Sequence, residues 1–426
     1  MCLILALSGV GDKETFMTVK MAQRWAPFGT SIFTEMTQLS QVHQAVNLAQ
    51  GFPDFSGPEE VLQQVAHETL HCHNQYAPAI GEASLRRSVS QIVEAKTGVS
   101  YCPDQEVTIT TGATEAIYSV VNAFVNPGDR VVVFEPCYDS YAQAIANAGG
   151  VLVPVRLHAP DTPAGMAARG WAVDWSEFDA ATAVGFKLLI LNSPHNPTGK
   201  VFSQGELERI AAVVQRHDAV LMCDEVYEYL SYGQPNQFQS AVSLPGMKDF
   251  VVRISSSAKT FGFTGFKVGW VTAPAALMRA VRLVHQAVVF CTNPATQRGL
   301  AIMMSNTGWI ESYLSSLSGI YNDKQTFLEK SLLEAGFKVQ RAQGSYFLMA
   351  NYDAHVQGVA VKDTEFAKVL IRDAGVASIP PSVFYYGSEP PRRLNWLRFA
   401  FCKTDLTLQT AAKRLADWAH RSPSTT

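Results

Sequence analysis

From about Gln105 onward, short β-branched apolar runs alternate with helix-spaced segments, and this rhythm sharply restricts the folds open to the chain. Residues 107–110, 130–135, 151–155, 187–192, 219–224 and 250–255 read as strands, while 140–148 and 206–217 carry helical spacing. Most of these strands are apolar runs separated by amphipathic helices. That pattern predicts an α/β architecture, a mostly parallel sheet covered by helices. In such sheets ligands gather at the carboxyl ends of the strands. Asn192, Asp224 and the run Ser255-Ser256-Ser257 all stand at such ends.

A chain of 426 residues exceeds what one small core organises. After about Gln297 the pattern changes to a long helix over 310–334, a strand at 346–351, a helix at 364–373, a strand at 395–401 and a helix at 406–420. This predicts a large domain over 51–304, a smaller α+β domain from 25–50 plus 305–421, and a disordered tail over 1–24. Translation starting at Met17 or Met21 would equally explain that tail. Its apolar run, Cys2 to Leu7, is too short for a signal sequence or a membrane span.

The formal net charge is −3, from 34 basic and 37 acidic residues, and there is no basic run. Nucleic acid and anionic membrane are therefore poor partners. Seven cysteines are dispersed without a C-x-x-C pair or a zinc-like spacing. They predict free thiols in a reducing cytoplasm and no metal site.

Lys259 is the centre of the chemistry. It follows small hydroxylated residues, with Ser256 three positions before it and Lys267 eight after. Hydroxyl donors, backbone N–H groups and a fixed cation are what a phosphate dianion needs. Thr111-Gly112-Ala113-Thr114 follows a strand and opens a helix, so the N–H groups of Ala113 and Thr114 would meet an anion there. Asp224, ending an apolar strand, could keep a pyridine nitrogen protonated. Tyr227 and Asn196 could hydrogen-bond a phenolic oxygen. Arg398 lies within an apolar strand and needs an anionic partner, which a substrate carboxylate would supply bidentately. Together these residues suggest a lysine Schiff base with pyridoxal 5′-phosphate (PLP).

Longer blocks carry a family resemblance. They are Ser31-Ile32-Phe33-Thr34-Glu35-Met36, Asn47-Leu48-Ala49-Gln50-Gly51-Phe52-Pro53-Asp54-Phe55, Asn74-Gln75-Tyr76-Ala77-Pro78, Tyr138-Asp139-Ser140-Tyr141, Asn192-Ser193-Pro194-His195-Asn196-Pro197 and Asp224-Glu225-Val226-Tyr227-Glu228. From about Thr30 to Trp418 the chain resembles class I aminotransferases of PLP fold type I, most of all the kynurenine and methionine aminotransferase branch. The resemblance implies a seven-stranded large domain. It implies that Lys259 bonds PLP, that Ser256 and Lys267 hold its phosphate, and that Asp224 partners its ring nitrogen. Tyr138 would stack on the ring, with Tyr227, Asn196 and Asn192 near its phenolic oxygen and the substrate. Phe33, Gly51 and Arg398 would bind substrate. A homodimer is implied too, with Tyr76 and Phe290 reaching into the neighbour's site. Lys267 stands where many members carry Arg, Phe33 where some have Trp, and Cys291 where some have His; residues 1–24 match nothing.

The expected reaction is ping-pong transfer of an amino group from a large neutral L-amino acid (methionine, an aromatic, glutamine or kynurenine) to a 2-oxo acid. No second arginine for a side-chain carboxylate is evident, although Arg24 could fold in. The alternative is a cysteine-S-conjugate β-lyase on the same scaffold. A PLP-binding regulator is disfavoured, because about 25 residues ahead of the matching region are too few for a DNA-binding domain.

Overall fold

The computed structural model describes residues 21–29, 31–72, 74–168, 170–233, 238–356, 358–391 and 394–421. The tail expected over 1–24 lies outside the described residues except for 21–24, where Gln23–Trp25 form a 3-10 turn.

The N-terminal helix Ile32–Val42 leads into strand β1 (Val46–Asn47). The central sheet then collects β2 (Val107–Thr110), β3 (Arg130–Glu135), β4 (Val151–His158), β5 (Ala172–Val173), β6 (Leu188–Asn192), β7 (Val220–Asp224), β8 (Val251–Ser256) and β9 (Gly269–Thr272). Their order is β2-β9-β8-β7-β6-β3-β4-β5. Strands β4, β3, β6, β7 and β8 pair in parallel, and β9 runs antiparallel to both of its neighbours. The seven strands expected are joined by β5, a two-residue edge strand antiparallel to β4. From β3 the chain moves outward to β4, then returns to β6 and builds the other way through β7 and β8. The carboxyl ends of β3 and β6 therefore flank a topological switch point, where open α/β sheets bind ligands.

Period-two alternation divides the sheet's apolar residues between its faces. Val132, Leu189 and Leu221 pack with Phe178, Leu207 and Ile210 on one face. Val131, Val133, Ile190 and Met222 pack with Ile117, Val121 and Ile145 on the other. Each such side chain contributes roughly 1.5–3 kcal/mol on burial. Local signals set the helix ends. Ser203 and Glu206 form a capping box at the start of Gln204–Arg216. The long helix starts at Thr307, a turn earlier than its apolar spacing shows, because the Asn306 side chain caps the Trp309 N–H.

A second sheet is formed by β10 (Lys338–Gln340), β11 (Phe347–Asn351) and, beyond the short β12 (Val376–Ala377), β13 (Trp396–Ala400). β1 pairs in parallel with β12. Leu48 N–H donates to Ala377 O at 3.1 Å, and Ala400 N–H to Leu48 O at 2.7 Å. Backbone bonding thus stitches the N-terminal segment to the C-terminal region. Met36 and Leu48 share one apolar cluster with Leu328, Phe347, Phe401 and Trp418. That stitching carries residues 49–52 over the strand ends of the large sheet.

Candidate active site

The carboxyl ends of β6, β7 and β8 open into a cavity of about 250 Å³. Every site residue named from the sequence lines it except Tyr76 and Phe290. Those two pack edge to face, with ring centroids 5.1 Å apart, and are 82% and 46% exposed. Arg24 is exposed and does not line the cavity.

Lys259 sits on the one-turn helix Ser257–Thr260 that follows β8. Its Nζ donates to Gly51 O at 3.2 Å and lies 5.5 and 5.8 Å from the ring centres of Tyr346 and Tyr227. Burial lowers its pKa to about 8, with Arg398 and Lys267 adding to the effect and Asp224 opposing it. At pH 7 roughly a tenth of the amine is then neutral and nucleophilic, far more than for an ordinary lysine. The neutral form gains as pH rises. Capture of an aldehyde by the cofactor-free protein is therefore expected to speed up through pH 8 and level off above it. Stopped-flow growth of visible absorbance on adding PLP checks this; a rate still climbing steeply at pH 10 would show an unperturbed lysine.

Asp224 terminates β7 and is 4% exposed. Burial raises its pKa, opposed by the Tyr141 hydroxyl, which donates to Oδ2 at 2.5 Å, and by the Val226 N–H. The sequence assigns Tyr141 no role of its own. It lies one helical turn after Tyr138 on the helix Asp139–Ala148, and that spacing was the available signal.

Asn192 and Asn196 divide their work. Asn192 Nδ2 donates to Asp224 O at 2.9 Å, and its Oδ1 accepts the Asn196 N–H at 2.7 Å. Asn192 thus braces the loop after β6 against β7. Asn196 Oδ1 accepts from Arg398 Nη1 at 2.8 Å, and Arg398 Nη2 donates to Ala49 O at 2.9 Å. The guanidinium lies 4.0 Å from the Phe347 ring centre, and its buried Nε has no hydrogen-bond partner among the described residues. Burial lowers its pKa to about 10, which leaves it charged at neutral pH. Gln50 holds the N-terminal helix close by, donating to Phe33 O at 2.9 Å and to Thr37 Oγ1 at 2.6 Å.

The opposite end of the cavity suits an anion. Ser256 Oγ is buried without a hydrogen-bond partner among the described residues. The helix Gly112–Phe124 begins beside it, with Gly112 at φ +76°, where a Cβ would stand 3.1 Å from Lys267 Nζ. A Cβ on Gly269 would come within 2.9 Å of Ala113 N. Glycine at both positions lets a cation and a helix N-terminus converge on one point.

Beneath the floor, fully buried Arg253 pairs with Glu225 and Glu228, which alternate with Asp224 and Tyr227 along the chain. Ser240 and Ser255 hydroxyls donate to the same two carboxylates at 2.6 Å each. The network stiffens the segment that aims Asp224 and Tyr227. The sequence did not reveal it, because its members pair across three elements.

Residues 43–415 match the family Aminotransferase class I and II. The chain belongs to that family. Methionine aminotransferase of Escherichia coli is 38% identical over 388 residues, covering 91% of this chain and 95% of that protein. Kynurenine–oxoglutarate transaminase of Dictyostelium discoideum is 34% identical over 421 residues, covering 93% and 96%. The solved structure of E. coli YbdL, described as having a methionine aminotransferase function, superposes with a TM-score of 0.86 at 36% identity, covering 94% of this chain and 100% of that one. N-succinyldiaminopimelate aminotransferase from Mycobacterium tuberculosis gives the same TM-score, identity and coverage. The enzyme is therefore an amino-acid aminotransferase of PLP fold type I.

Proposed function

We propose that this aminotransferase moves the amino group of a large neutral L-amino acid (methionine, an aromatic residue, glutamine or kynurenine) to a 2-oxo acid, in two alternating half-reactions with PLP. One observation carries the reading. A lysine amine with a lowered pKa, a buried carboxylate and a guanidinium with an unused N–H face one cavity of about 250 Å³.

The residues fit PLP. Unpartnered Ser256 Oγ, Lys267 and the helix start at Ala113 and Thr114 form a cup for its phosphate, and Tyr138 supplies a ring wall. Asp224, held by Tyr141, would face the ring nitrogen, whose positive charge offsets the carboxylate's burial. Tyr227 and Asn196 would serve the phenolic oxygen. When bound, the cofactor supplies an electron sink for the pair left at the substrate's Cα. Lys259 Nζ would hold the cofactor's aldehyde, and as a free amine it would accept the substrate's Cα proton as general base. Arg398 and Asn196 orient the α-carboxylate, and Gly51 and Phe33 close the substrate side.

Arg398 is the one arginine lining the cavity among the described residues, and Phe33, Phe52, Ile117 and Phe347 make other walls apolar. This supports a neutral side chain and echoes the methionine and kynurenine activities named for the relatives. The exposed pair Tyr76 and Phe290 supports a homodimer in which each completes the other chain's site. Most of the apolar cluster that joins Met36 and Leu48 to Leu328, Phe347 and Trp418 comes from residues 36–49 and 317–418, with Val226, Tyr227, Leu230 and Tyr232 packed onto it, which supports a small domain from 25–50 plus 305–421 beside a large one over 51–304. Among the described residues no helix is long and apolar enough to cross a membrane. The dispersed cysteines support a cytoplasmic site of action.

The test mixes holoenzyme with single L-amino acids and follows the loss of visible absorbance. Methionine, phenylalanine, glutamine or kynurenine should bleach it at least tenfold faster than aspartate or N-succinyldiaminopimelate, about the discrimination one unmatched carboxylate imposes. Fastest bleaching by a dicarboxylic substrate would overturn the neutral side chain. No bleaching by any amino acid would overturn the reaction.

Arg398→Lys should raise KM for both amino acid and oxo acid by about a hundredfold, since an ammonium cannot reproduce the two-point contact. The cofactor's visible absorbance should stay as in the wild type. Unchanged KM values would place Arg398 outside the substrate site.

A further inference from the structure

His285 and Glu115 form a buried pair outside the cavity that the proposed chemistry does not use. His285 is 1% exposed and Glu115 8%. His285 Nε2 lies 2.7 Å from Ala79 O, and because a carbonyl only accepts, Nε2 carries a proton. Nδ1 lies 3.1 and 3.2 Å from the two Glu115 oxygens. Glu115 Oε2 also accepts the Thr111 N–H at 3.0 Å, and Oε1 the Ser119 hydroxyl at 2.5 Å. Thr111 immediately precedes Gly112, where the phosphate-facing helix begins. Ala79 ends the segment that carries Tyr76, and the helix Ala275–Val288 bearing His285 stops two residues before Phe290. Thr111 Oγ1 lies 3.1 Å from Thr292 Oγ1, a second tie at the same junction.

We infer that His285 and Glu115 are positioning residues for the phosphate cup, setting the start of the phosphate-facing helix and the Tyr76 segment as one unit. This deepens the PLP reading and rests on it. The ring bridges two elements only while both of its nitrogens are bonded. Burial disfavours its charged form, but the Glu115 hydrogen bond and charge and the Ala79 carbonyl outweigh that and hold its pKa above the usual histidine value; Arg282 opposes them. The groups facing the ring are Glu115 from the phosphate helix, the Ala79 carbonyl from the Tyr76 segment, and Arg282 from its own helix, which is itself bonded to Val107 O and Thr108 Oγ1. A neutral ring gives up one donor, so the cup loosens as pH rises through the raised pKa.

The experiment compares dissociation of PLP and of pyridoxal, which lacks the phosphate, by equilibrium dialysis of wild type, His285→Gln and Glu115→Gln. Loss of one or two bonds to the cup should weaken PLP about tenfold or more while pyridoxal changes less than about twofold. In the wild type, PLP affinity should fall with rising pH more steeply than in His285→Gln. Equal losses for both ligands would overturn the inference and make the pair a general structural brace, as would unchanged PLP affinity. If His285→Gln does not fold, Glu115→Gln decides by the same ratio. Failure of the wild type to bind PLP would sink the cofactor reading instead, and the two failures are distinct.

Discussion

Lys259→Ala should lower turnover by about four orders of magnitude or more, because in the proposed reaction one amine would serve both as covalent anchor and as proton acceptor. Folding should survive. Among the described residues the amine donates to Gly51 O, which Tyr346 OH also serves at 2.5 Å, so that carbonyl keeps a donor. Burial already disfavours the charged amine, and alanine removes that cost. PLP should still bind through the phosphate cup, but without the visible absorbance of a bonded lysine. Single-turnover mixing with L-methionine and a thermal melt separate the two effects. Turnover within tenfold of wild type would reject Lys259 as the reacting amine, and a collapsed melt would mean that the lysine also holds the fold.

Asp224→Asn should slow the amino-acid half-reaction by about a thousandfold with the cofactor retained. An amide can turn its oxygen to the Val226 N–H and donate from its NH2 to the Tyr141 oxygen, so the local geometry persists. In the proposed reaction it would have no charge to hold a proton on the cofactor's ring nitrogen, and the electron sink would weaken. A rate loss below tenfold would mean that Asp224 serves the strand end rather than the chemistry. Because Asp224 and Lys259 share the cavity and interact electrostatically, the double variant should lose less than the product of the two single losses.

Strand periodicity was legible because burial on both faces leaves a direct mark on composition. β6, β7 and β8 fall within one residue of the runs read from sequence, and the polar residues that end them line the cavity. β5 was invisible because two residues carry no period, and β4 continues to His158 because its last residues alternate instead of staying apolar. The helix expected over 364–373 is Asp363–Val369 followed by a π turn, Leu370–Ala374, which Gly375 ends at φ +68°. Periodicity does not separate those two hydrogen-bond patterns.

The sequence alone determined the sheet class and the polar residues at the strand ends, since these depend on short-range pattern and on residue type. Only the tertiary structure decided who holds whom. Arg398 meets Asn196 across 202 positions, Tyr346 meets Gly51 across 295, and His285 meets Glu115 across 170. Each of these pairs depends on strand order and on the stitch between β1 and β12. Apolar periodicity records that a residue is buried but not which element covers it. A buried polar group must find a partner, and only the folded arrangement specifies which one.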